Sequence, residues 1–127
     1  MKRILVSICI SVFILFLVSV SVQATEKENA NEMFKYALIR SLGSSIDKAL
    51  AEIYKDAPKG VPQWAGWDTK IININIKQLH GVGGSYEVIV RVHPYYGPHI
   101  GNGIDEITIR IASDGQKVTD FKHIRDV

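Results

Sequence analysis

The sequence predicts an α+β domain in which an N-terminal bent helix, or two abutting helices, packs on one face of a four-stranded antiparallel meander. Three observations predict it. Apolar residues recur at three- and four-residue steps between Phe34 and Ile53, the signature of one helical face. From Ile72 onward the apolar period changes to two, the signature of half-buried strands. The alternating runs are separated by glycine-rich or Asp-Gly turns with no helical segment between them, which favours a meander over parallel crossovers.

Ahead of the domain, Lys2 and Arg3 precede an unbroken apolar stretch from Ile4 to Val22, and Val22-Gln23-Ala24 places small residues at a cleavage position. Residues 1–24 are therefore expected to be an export signal removed after Ala24. The stretch also approaches the length that spans a bilayer, so an uncleaved anchor with the domain outside is the alternative. Cys9, the single cysteine, lies early in this segment without the small-residue setting of a lipoprotein cysteine. The remaining chain has no disulfide and must be held by packing alone. Removing Lys2 and Arg3 from the 15 basic residues leaves 13 against 13 acidic ones, which gives no electrostatic case for nucleic acid.

Residues 25–31 are polar, charged and aperiodic, and are expected to form a flexible spacer before a single α+β domain over 32–127. In the helical region Phe34, Leu38, Leu42, Ile46, Ala49, Leu50 and Ile53 make the apolar stripe, with Lys35, Arg40, Asp47, Lys48, Glu52 and Lys55 opposite. Gly43-Ser44-Ser45 interrupts the stripe, and Ser44 with Asp47 three residues later reads as a fresh N-cap. Pro58, Gly60 and Pro62 end the helix.

Ile72, Ile74 and Ile76 are expected on the core face of the first strand, with Tyr86, Val88, Val90 and Val92 on that of the second. Gly81-Val82-Gly83-Gly84 joins these strands and opens no helix, so it reads as a loose turn and not a phosphate cradle. Ile107, Ile109 and Ile111 face the core from the third strand, and a last strand runs from Gln116 to about Ile124. A two-residue Asp114-Gly115 turn would set Ile107 opposite Lys122 and mix core with charge. A three-residue Ser113-Asp114-Gly115 loop with left-handed glycine is preferred. It pairs Ala112 with Gln116, Ile109 with Thr119, Ile107 with Phe121, Glu106 with Lys122 and Asp105 with His123. The outline is cystatin-like or a reduced α+β roll, an analogy that carries no function.

This topology gathers Trp64, Trp67, Tyr95, Tyr96, His99, Asp105 and His123 at one loop-rich end of the sheet, the candidate ligand-binding set. His93 shares the outer-face parity of Glu87 and Arg91 and is left out. Asp105 and His123 are expected as a cross-strand pair with His99 close by, on the core-facing side but within reach of solvent.

From Tyr95 to Ile124 the chain resembles a family of small exported proteins of unknown function from Gram-positive spore-forming bacteria. The resemblance rests on an aromatic before Gly97-x-His99, then Gly103-x-Asp105-x-Ile107-Thr108, then Lys122-His123, with Ile53-Tyr54 closing the helix. It departs from the family in carrying Gly43-Ser44-Ser45, and no proline, at the helix break. The resemblance implies no activity, catalytic residue or cofactor.

The residues leave several chemistries open. His99, Asp105 and His123 would suit a metal-assisted or acid-base enzyme if they converged on an open position, whereas a structural hydrogen bond between Asp105 and His123 accounts for that pair without catalysis. No serine, cysteine or second carboxylate stands at recognisable spacing as a nucleophile. Trp64 and Trp67 beside Tyr95-Tyr96 would make an aromatic platform for sugars or a peptide, or would plug the end of the helix-sheet sandwich. Ile89 and Val118 would form an apolar patch on the outer face. The favoured expectation is a secreted, non-catalytic binding module for a peptide, an envelope polymer or a small ligand, with no cofactor, no nucleic acid and no membrane contact beyond the signal segment. A membrane-anchored structural protein is the further alternative.

Overall fold

A computed structural model describes residues 1–78 and 83–127 of the chain. The chain divides into two compact units, Met1–Lys35 and Tyr36–Val127. The first is helical, the body of α1 (Lys2–Ser41), and α1 is long and apolar enough to cross a membrane by length and composition. Thr25 to Asn31, expected as an irregular spacer, is helical here.

In the second unit the end of α1 abuts α2 (Gly43–Ile53) through the single residue Leu42. Leu42 is the N-cap of α2 and supplies no side-chain cap, so Ser44 does not start the helix as expected. Asp47 instead accepts a hydrogen bond from Trp64 Nε1 at 2.7 Å, and the tryptophan ring lies against Gly43, where an added Cβ would sit 3.6 Å from it. The apolar stripe faces the sheet as expected at Leu42, Ile46, Ala49 and Leu50, all buried, while Phe34 stands exposed.

The main sheet is an antiparallel meander in the order β1 (Lys70–Gln78), β2 (Ser85–Val92), β5 (Gly103–Ala112), β6 (Gly115–Asp126). Between β2 and β5 a small hairpin of β3 (Tyr95–Tyr96) and β4 (Ile100–Gly101) stands at the loop-rich end. Tyr95 also bridges Gln63, which ties the proline-rich segment to this hairpin. The expected turn between β1 and β2 lies partly outside the described residues; its last two glycines, Gly83 and Gly84, have φ of 93° and 60°.

Val88, Val90, Val92, Ile107 and Ile109 form the sheet side of the core under α2. The coverage is one-sided. Helix α2 packs on β5 and β6, and Ile72, Ile74 and Ile76 of β1, expected in the core, are exposed. Geometry explains this correction: a helix is about 10 Å across with its side chains, whereas strands lie about 4.8 Å apart. One helix is too narrow to reach every strand: the core face of β2 is still buried at Val88, Val90 and Val92, whereas the edge strand β1 keeps only Ile71 packed against the core.

The last hairpin reaches the expected register by a different route. Asp105 pairs with His123, Glu106 with Lys122 and Ile107 with Phe121, as expected. Nearer the turn, however, Ala112 pairs with Gly115 and not Gln116, and Ile109 with Val118 and not Thr119. A register shift between Thr108 and Ile109 absorbs the extra residue, Thr119, whose Oγ1 donates to the Thr108 carbonyl at 3.3 Å. A bulge reverses side-chain parity beyond it. Val118, expected on the outer face, therefore packs against the core, and Gln116 reaches the helix, where its Oε1 accepts from Ser45 Oγ at 3.0 Å and its Nε2 donates to the Ser41 carbonyl at 3.1 Å.

Candidate functional site

Two groups of side chains occupy the loop-rich end of the sheet. The first is built around Asp105, which is fully buried, so it is not within reach of solvent as expected. Its Oδ1 lies 2.7 Å from His123 Nδ1, and its Oδ2 accepts from the Tyr54 hydroxyl at 2.7 Å. His123 Nε2 lies 3.0 Å from Asp126 Oδ1. With a carboxylate at each ring nitrogen, His123 satisfies both contacts only when both nitrogens carry protons. Its pKa is accordingly raised, chiefly by the hydrogen bond to Asp105, against an opposing effect of burial. The Tyr54 hydroxyl is pushed well above its ordinary range by burial and then by donation to Asp105, so it stays a donor.

This network joins the end of α2 to β5 and β6. Gly103 makes room for it: a Cβ there would stand 2.7 Å from His123 Cε1 and 3.0 Å from the Tyr54 hydroxyl. Tyr54 and Asp126 were not assigned from the sequence, and of the two Tyr54 had a readable signal. The signal was present in the four-residue steps Leu42, Ile46, Leu50, Tyr54, which place its ring on the buried stripe, but no pattern reveals which strand residue its hydroxyl meets.

The second group is aromatic. His99 stacks at a tilt on Tyr95, with centroids 4.5 Å apart, and Trp67 meets His99 edge-on at 5.7 Å. Trp67 keeps 67% of its surface exposed. His99 is the one described non-glycine residue with positive φ, 58°, a conformation that costs energy and is concentrated at functional positions. His99 thus finds its neighbours in Trp67 and Tyr95, whereas Asp105 and His123 find theirs in Tyr54 and Asp126. Among the described residues no group of three or more His, Cys, Asp or Glu side chains is arranged to hold a metal ion.

Trp64 and Tyr96 line recesses beside these groups. Trp64 and Trp67 flank a groove of about 410 Å³ whose other wall is Tyr36, Ile39 and Arg40 of α1. Tyr96 donates to the Gly60 carbonyl at 2.6 Å, carries the Lys59 ammonium over its ring and, with Tyr54 and Asn102, lines a cleft of about 340 Å³. His93, expected on the outer face, lies 3.1 Å from Asp68 Oδ1 through its Nδ1.

These features define an α+β domain with a helix laid over one face of a four-stranded antiparallel meander, preceded by an apolar helix. Residues 34–125 match the model of the family described as "Protein of unknown function (DUF3888)", and the chain belongs to that family. No curated protein and no solved structure matches the chain.

Proposed function

We propose that this chain is an exported, non-catalytic binding module that engages an envelope polymer through the aromatic shelf of Trp67, His99 and Tyr95. The observation that carries this reading is the exposed Trp67 ring standing on a histidine held at positive φ, an arrangement that contributes little to the core. Flat aromatic faces stack on sugar rings and on peptide planes at low entropic cost, and the adjoining groove with Arg40 offers a polar end. The N-terminal apolar helix supports export, as a cleaved signal or a retained anchor.

The Asp105–His123–Tyr54 network supports the same reading from the other side. Both Asp105 oxygens are taken by side chains of the fold and the carboxylate is buried, so it serves as a strut that fixes the loop-rich end. An acid-base or metal-assisted role would need His99 to join this pair, and its ring contacts are with Trp67 and Tyr95 instead.

The test is co-sedimentation with insoluble cell-wall polysaccharide. The wild-type protein is expected to pellet with the polymer, and Trp67→Ala to remain in the supernatant with an unchanged circular dichroism spectrum. Equal pelleting of the two, or none by the wild type, refutes the shelf.

A further inference from the structure

The exposed apolar face of the edge strand β1 is a second surface. Ile72, Ile74 and Ile76 of β1 are 43%, 48% and 57% exposed, and Tyr86 of β2, the cross-strand neighbour of Ile76, is exposed beside them. A contiguous apolar strip of this kind on a small domain marks an interface. It lies at a free sheet edge, because β1 is hydrogen-bonded to β2 on one side only.

The two edges differ in charge. The opposite edge strand, β6, carries Lys117, Asp120, Lys122, Arg125 and Asp126, the kind of charged edge that blocks strand addition. In β1 the charges are confined to Lys70 and Lys77, outside the stretch Asn73 to Ile76 that lies between its two register shifts. The Ile74 N–H donates to Asn73 Oδ1 at 2.9 Å, which identifies it as an edge donor held by a side chain of its own strand.

We propose that β1 pairs antiparallel with β1 of a second copy of this chain, about a two-fold axis through Ile74, joining two four-stranded sheets into one of eight strands. The strand is self-complementary in this register. Between the two register shifts Ile74 meets its own copy and Asn73 meets Asn75, so isoleucine stacks on one face and asparagine on the other; at the flanks Ile76 faces Ile72, Lys77 faces Ile71 and Lys70 faces Gln78, so no lysine opposes a lysine. The outward N–H and C=O of Ile74 exchange bonds with those of its copy, and the partner carbonyl replaces the Asn73 side chain. Neutrality at the centre favours a like strand over a charged partner.

The test is disulfide trapping in the full chain, in detergent micelles, with Cys9→Ser removing the native thiol. Facing residues of a hydrogen-bonded pair lie about 5.5 Å apart between Cα atoms, within disulfide reach. Ile74→Cys is expected to form a covalent dimer on mild oxidation, faster than Ile76→Cys, which faces position 72 in the second copy, and far faster than Lys117→Cys on the β6 edge. Ile74→Lys is expected to lose the dimer mass in light scattering while keeping its circular dichroism spectrum. A monomeric wild type, a dimer untouched by Ile74→Lys, or equal trapping at positions 74 and 117 overturns the proposal.

Discussion

Replacing Asp105 by Asn tests the interior of the loop-rich end most directly, because it keeps the shape of the side chain and removes its charge. In the wild type the His123 imidazolium and the Tyr54 hydroxyl both donate to this carboxylate at 2.7 Å. The amide can still accept from Tyr54 but presents a neutral and partly donating group to His123. A hydrogen bond to a charged group contributes about 1.5–3 kcal/mol, and since about a third of the His123 side chain is exposed to solvent the lower end applies, about 1.5 kcal/mol. The pH dependence follows from the direction of the shift. The folded-state pKa of His123 is raised above its ordinary 6.5, so the stabilisation is complete below that value and is lost as pH rises through the raised one. Urea melts of the chain beginning at Thr25 should therefore show wild type more stable than Asp105→Asn at pH 5.5, with the gap narrowing by pH 9. An NMR titration of His123 should show its pKa falling toward 6.5 in the variant. Identical titrations in the two proteins, or a stability gap independent of pH, would refute the charged-pair account.

Two further substitutions probe the packing that positions this end. Leu50→Ala should cost about 2–5 kcal/mol in a urea melt, because Leu50 is buried in the core under α2, whereas Lys48→Ala, on the exposed side of the same helix, should stay within about 0.5 kcal/mol. Gly103→Ala should cost about 1–3 kcal/mol by pushing a methyl into His123 and the Tyr54 hydroxyl, and should displace the His123 resonances; an unperturbed His123 spectrum would contradict the close approach.

The pairing of Asp105 with His123 was legible in the sequence, and it holds because the two-residue turn from Ala112 to Gly115 and the bulge at Thr119 together give the same offset as the expected three-residue turn. The route to it was not. The bulge at Thr119 leaves the pairs beyond it unchanged while moving Val118 from the outer face to the core, and an inserted residue of this kind has no reliable mark in a run as polar as Gln116 to Asp120. The convergence of the seven candidate residues was legible only as a shared end of the sheet. Their division into an aromatic group around His99 and a polar one around Asp105 follows from the positive φ of His99 and from the intrusion of Tyr54, both consequences of packing.

By itself the sequence determined the α+β class, the meander order, the balanced charge of the domain and the apolar segment ahead of it, because periodicity and composition are properties of the chain before it folds. Only the tertiary structure decided which strands the helix would cover. Alternation marks a face as apolar without saying that anything lies on it, and one helix is too narrow for four strands. Helix α2 settled on β5 and β6, and so Ile72, Ile74 and Ile76 of β1, written in the same pattern as the isoleucines of the core, remain at the surface, while Ile71 packs against the core.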